Sequence, residues 1–174
     1  MSLQLAEGTA AGNETRDAAT RLTAAQAEQR RAVVEEARTW LRTPYVHMGR
    51  RKGAGVDCAT LLCEVFERAG LIERVELEWY PPDWYLHRDE ERYLAMVARY
   101  AARVERAPLP GDIALYRYGR CVSHGALVVD WPLVIHAWRA ARKVVTSDAS
   151  KAPLSARFHS LWSRWSDGEQ QPSD

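Results

Sequence analysis

The sequence predicts an α+β domain in which N-terminal helices pack on an antiparallel β-sheet meander, and three observations carry that reading. Apolar residues recur at helical spacing as far as residue 104, the run Pro108-Leu109-Pro110-Gly111 interrupts that period, and short strand-like runs follow it. At 174 residues the chain is expected to form one domain, long enough to bury a core without covalent staples.

Residues 1–22 are rich in Ala, Gly, Thr and Asn, lack a sustained apolar period, and read as a mobile arm; residues 166–174 read as a disordered tail. The folded domain is expected over 23–165. Val33, Ala37, Trp40 and Leu41 share one face of a first helix that ends before Thr43-Pro44, because proline disfavours helical backbone in the residue before it. A glycine-containing loop spans 45–56. Leu61, Leu62, Val65, Phe66 and Ala69 then form the apolar stripe of a second helix that starts at Asp57 or Cys58, with Asp57 as N-cap and Gly70 as the stop. The segment 78–87, with Pro81-Pro82 amid Trp79, Tyr80, Trp84 and Tyr85, makes a poor helix and a broken strand. Its aromatics read either as a lid over the core or as a docking surface. A third helix over 89–104 would place Leu94, Val97, Tyr100, Ala101 and Val104 on one side. Strands are expected at 112–118, 122–130, 133–138 and 143–146, and residues 153–165 leave a last strand open.

Charge excludes some partners. With 24 basic against 23 acidic residues, a net +1, no electrostatic footprint for nucleic acid or an anionic membrane is present. No run reaches the roughly 18 to 20 apolar residues of a membrane span, so no membrane insertion is expected. Glu7, Glu14 and Asp17 interrupt the first 20 residues, so no signal peptide is expected and synthesis in the cytoplasm is.

Three cysteines without a Cys-x-x-Cys pair leave at least one free thiol. Cys58 falls at the first turn of the second helix, where unpaired N–H groups and the helix dipole favour a thiolate. Cys63 is turned about 140° away and reads as packing. His124 and His136 lie on consecutive strands. An odd loop between them keeps both on one face: three residues would set them diagonally, five directly opposite, and an even loop would separate them. A thiol at a helix start with two histidines in mutual reach is the nucleophile, base and orienter set of a cysteine hydrolase. A zinc site using Cys121-x-x-His124 with Cys58 or Cys63 is the rival; the Cys58-x4-Cys63 spacing is loose for such a site, and neither metal nor cofactor is expected.

Five blocks carry a resemblance. Thr43-Pro44-Tyr45-Val46-His47-Met48-Gly49, Gly55-Val56-Asp57-Cys58-Ala59-Thr60-Leu61-Leu62, Pro110-Gly111-Asp112-Ile113-Ala114-Leu115, Ser123-His124-Gly125-Ala126-Leu127-Val128 and Val134-Ile135-His136-Ala137 resemble, in order, the landmarks of the NlpC family of cell-wall cysteine peptidases. The resemblance implies a papain-like α+β fold with Cys58 as nucleophile, His124 as base and His136 as the group that orients it. Tyr45 is then placed near the oxyanion, and Asp57 and His47 join it as expected oxyanion or substrate contacts. Where the family commonly has Ser-Gly after its cysteine, this chain has Ala59-Thr60. The implied substrate is the peptide stem of peptidoglycan, cut at a D-glutamyl-diamino acid bond. The segment between Tyr80 and Tyr93 looks most like the phage-encoded branch, which implies a virion tail component acting at the periplasmic cell wall, with tail proteins as partners. The alternative is a catalytically idle tail protein that keeps the fold for structure or binding. With His136 required neutral, activity is expected to fall below about pH 6.5.

Overall fold

The computed structural model describes residues 22–82, 86 and 91–165. The stretches read as arm and tail lie outside the described residues apart from Leu22, as do Trp84 and Tyr85. Helix α1 (Ala24–Thr39) begins at a capping box: the Thr23 hydroxyl accepts from the Gln26 N–H at 3.1 Å, and the Gln26 side chain accepts from the Thr23 N–H at 3.0 Å. A small ribbon, β1 (Arg50–Arg51) with β2 (Gly55–Val56), replaces the expected loop. It leads directly into α2 (Cys58–Arg68), whose residues from Ala59 to Phe66 are all buried.

One expectation is corrected: among the described residues the third helix is α3 (Arg92–Ala98), and β3 (Ala102–Val104) replaces its expected last turn. Val104 fits a helical stripe locally, but backbone pairing with a distant strand, Val104 opposite Leu161, overrides that period. The expected antiparallel meander forms and is extended at one edge. The strands β4 (Ile113–Tyr118), β5 (Cys121–Asp130), β6 (Leu133–Trp138) and β7 (Lys143–Asp148) run up and down in sequence. The last strand, β8 (Phe158–Ser163), returns to insert between β3 and β4, giving the order β3-β8-β4-β5-β6-β7 with every pairing antiparallel.

The helices cover one face of this sheet. Leu61, Leu62, Val65 and Phe66 of α2 meet Ile113, Leu115, Leu127 and Ile135 there, while Ala114, Tyr116, Ala126, Val128 and Leu161 form a second cluster on the other face. At the start of β4, Arg30 of α1 donates to Asp112 at 2.9 Å and to the Pro110 carbonyl at 2.8 Å. Burial would raise the Asp112 carboxyl, yet bonds from Arg106, the Leu109 N–H and Arg30 hold it below the usual carboxylate range. Arg30→Met removes one of the two guanidinium partners of a buried carboxylate, and chemical denaturation is expected to show a loss of about 3 kcal/mol.

The hairpin between β5 and β6 decides where the histidines point. Its turn, Trp131-Pro132, has two residues, with Asp130 opposite Leu133. Continued unbroken, that register sets His136 across from Leu127 and puts the histidines on opposite faces. A bulge at Val129 adds one residue and shifts the pairing to Val128 with Val134 and Leu127 with Ile135. His136 therefore comes level with Ala126, diagonal to His124 on the same face. This is the register of the three-residue-loop alternative, reached by an even turn plus a bulge.

Candidate active site

Cys58 is the first residue of α2, and the sequence around it builds the helix start tightly. The Asp57 carboxylate accepts from the Ala59 and Thr60 N–H groups at 3.1 and 2.9 Å, and the Thr60 hydroxyl completes a capping box. The unusual Ala59-Thr60 pair thus serves the cap. The other Asp57 oxygen accepts from the Met48 N–H at 2.7 Å and the Tyr80 hydroxyl at 2.8 Å, with His47 Nδ1 3.5 Å away. His47 Nε2 in turn donates to the Tyr80 carbonyl at 2.7 Å, and the two rings meet edge to face. Asp57 is 1% exposed and engaged by these groups, so its carboxylate ties the His47 loop and the 75–82 segment to the helix that begins at Cys58. Asp57→Asn keeps one acceptor but turns an NH₂ group toward the Met48 N–H. A loss of about 2 kcal/mol and faster limited proteolysis within 75–82 are expected.

The Cys58 sulfur packs against β5. It lies 3.7 Å from the Ser123 carbonyl oxygen and faces the Gly125 N–H, the residues on either side of His124. His124 Nε2 and His136 Nδ1 are 2.7 Å apart, and His136 Nε2 is 2.9 Å from Ser147 Oγ. Tyr116 and Tyr118 flank the His124 ring at 5.9 and 5.6 Å, and Trp138 stacks on His136 at 5.6 Å. Tyr118 lies within electrostatic reach of Cys58, so one aromatic neighbour sees both thiol and imidazole.

Electrostatics correct one expectation. Burial pushes the Cys58 thiol up, and the adjacent Asp57 charge adds to it, outweighing the favourable helix end. Burial likewise holds His136 down at about 4 and His124 well below the ordinary histidine value, the latter also opposed by charge on His136. The resting pair is neutral thiol and neutral imidazole. Cys63, buried on the far side of α2, is pushed up to about 12 by burial first, as suits a packed thiol. Cys121 is fully buried at the start of β5.

A cavity of about 400 Å³ opens beside Cys58, lined by Tyr45, His47, Tyr80, Tyr93, Arg92 and Arg99 among others. Asp57 and Ser123 also reach it, as do Glu76 and Glu78. Arg50, on the ribbon before α2, is committed to Glu64 at 2.8 Å and Glu67 at 2.6 Å. Sequence reasoning did not single out Ser147, Tyr93 or the Ser123 and Gly125 backbone. Ser147 alternates onto the face of His136, and only the truncated expectation for β7, ending at 146, hid it.

No protein-family model matches the sequence, and no curated protein matches it either. Solved structures do. NlpC1 from Trichomonas vaginalis aligns over 78% of this chain and 45% of its own length, with 20% identity and a TM-score of 0.56. The peptidoglycan hydrolase RipB from Mycobacterium tuberculosis aligns over 82% of this chain and 67% of its own, with 19% identity and a TM-score of 0.54. The NlpC/p60 domain of the peptidoglycan hydrolase SagA aligns over 77% of this chain and 97% of its own, with 20% identity and a TM-score of 0.52. This chain spans less than half the length of several of the structures it matches, NlpC1 among them. The helices, the six-stranded sheet and the position of Cys58 at a helix start together make this the NlpC/P60 form of the papain-like α+β fold.

Proposed function

We propose that this chain is a cysteine peptidase that hydrolyses the peptide stem of peptidoglycan, at a D-glutamyl-diamino acid bond, with Cys58 as nucleophile. The observation that carries the reading is the 2.7 Å bond between His124 Nε2 and His136 Nδ1, with the Cys58 sulfur seated on the backbone either side of His124. With the proton of that bond on His124 Nε2 and the single ring proton of neutral His136, on Nε2, donated to Ser147, His124 Nδ1 is left unprotonated as the base.

From the neutral resting pair, His124 takes the thiol proton as sulfur attacks the substrate carbonyl. The oxyanion is held by the Cys58 N–H and the Tyr45 hydroxyl, and the imidazolium then protonates the departing amine. Water attacks the thioester with His124 again as base, releasing the new carboxylate and restoring the thiol. The cavity wall carries Arg92 and Arg99 together with Glu76 and Glu78, which suits a stem bearing both carboxylates and amines. The phage-tail setting belongs to the same proposal, with the exposed Trp79, at 69%, as the contact for a tail protein.

Mass spectrometry of fragments released from purified peptidoglycan, with Cys58→Ala as control, tests this. New amine ends from the wild type alone support it, and no new ends from either protein supports the idle tail component instead.

A further inference from the structure

Tyr93 occupies a place at the thiol that the reaction outlined above does not yet use. It is the second residue of α3, 5% exposed, and its hydroxyl donates to the Cys58 carbonyl at 2.9 Å. It also stands within hydrogen-bond reach of the Cys58 sulfur. The space it fills exists because residue 125 is glycine: a Cβ there would lie 2.5 Å from the Tyr93 hydroxyl oxygen. The close approach of α3 to β5 at this one point is therefore built around a phenol aimed at the nucleophile.

The thiol's present partner serves only its protonated form. The S–H donates to the Ser123 carbonyl, and once the proton leaves, that carbonyl presents a lone pair to a negative sulfur. The Gly125 and Cys58 N–H groups already face the sulfur, and the Tyr93 hydroxyl adds a side-chain donor in a site where Asp57 disfavours negative charge. The Cys58 carbonyl sits in the first turn of α2, so the helical N–H of Leu62 still serves it when the phenol proton turns away.

We propose that Tyr93 is the thiolate-stabilising residue of this site, its hydroxyl rotating from the Cys58 carbonyl to the sulfur as His124 removes the thiol proton. The step moves one proton, from sulfur to His124, while Tyr93 keeps its own. Burial, with the nearby Cys58 and Asp57 charges, raises the phenol well above its ordinary value, so it serves as a donor throughout and never as a base. The inference rests on Cys58 being the nucleophile.

The test reads the thiol without peptidoglycan. The rate of Cys58 alkylation by iodoacetamide is followed against pH in the wild type, in Tyr93→Phe, and with 3-fluorotyrosine placed at position 93. Folding is checked by circular dichroism and thermal melting. A hydrogen bond to a charged group implies a 10- to 100-fold slower alkylation in Tyr93→Phe at neutral pH, with its midpoint displaced upward by about one unit or more. The fluorinated phenol, a stronger donor of nearly the same shape, shifts the midpoint downward and serves alone if Tyr93→Phe does not fold. Unchanged alkylation profiles in the folded variants overturn the proposal and leave Tyr93 as packing. Peptidoglycan hydrolysis is measured separately: a wild type that releases no fragments but whose thiol shifts with residue 93 overturns the peptidase reading and not the role of Tyr93.

Discussion

His124→Ala is expected to lower kcat/KM on peptidoglycan stem peptides by roughly 10³-fold, within the range spanned by general acid–base groups. The reason is the neutral resting pair: without an adjacent base, a buried thiol beside Asp57 has nowhere to send its proton at neutral pH. The effect is graded along the relay. His136→Ala removes the acceptor that fixes the His124 ring and costs roughly 10- to 100-fold, and Ser147→Ala, one bond further out, costs about threefold. Steady-state kinetics with a soluble stem peptide checks the order, and the fall should lie in kcat with KM little changed, because none of these groups binds the ground-state substrate. Equal losses at His136 and Ser147 would deny the chain its direction.

Stability is expected to fall steeply as the pH drops from 6.5 to 4. In the unfolded chain His136 takes up a proton near 6.5, whereas in the folded protein burial delays this to about 4. The unfolded state therefore binds more protons throughout that window, and folding free energy declines as pH falls. His136 alone accounts for about 3 kcal/mol by the lower end of the window. His124, whose burial displaces it in the same direction, adds to the slope. Asp112 is depressed as well, but its contribution is present above the ordinary aspartate value and is lost only below it. Urea denaturation at pH 7, 5.5 and 4.5 reads the effect, and His136→Gln should remove His136's share of the slope. A pH-independent midpoint across this range would contradict it. The same shift moves the acid limit of activity. A neutral His136 persists well below pH 6.5, so the histidines impose no fall in kcat/KM there, contrary to the expectation from the unperturbed value.

The sequence made the fold legible wherever pattern was local. The stripe from Leu61 to Ala69, the Asp57 cap and the β4 to β7 strands rest on spacing alone, and each lies where expected within a residue or two. What escaped was set by long-range pairing. Residues 102–104 become a strand because β8, some 55 residues later, supplies the partner, and no local period records that. Of the site residues, Cys58 sits at its helix start as its position implied, whereas the two histidines share one face only because the bulge at Val129 offsets an even turn, which the sequence did not show. Asp57 could be read as a cap but not as the knot joining Met48, Tyr80 and Thr60, since those contacts converge only in three dimensions. The thiol's electrostatics were misjudged for a related reason. The helix end is visible in sequence, but burial against β5 is not.

The bulge at Val129 has a bearing on how this hairpin can change. The pairing of His124 with His136 is a matter of parity, and the parity is carried by a residue that touches neither ring. Gaining or losing one residue anywhere between the two strands inverts the arrangement, whereas a change of two preserves it. Deleting Val129 while leaving both histidines and the turn intact should therefore separate the relay as surely as removing a histidine. Among divergent chains of this architecture, loop length and bulge content in this hairpin ought to vary together, with their sum kept odd.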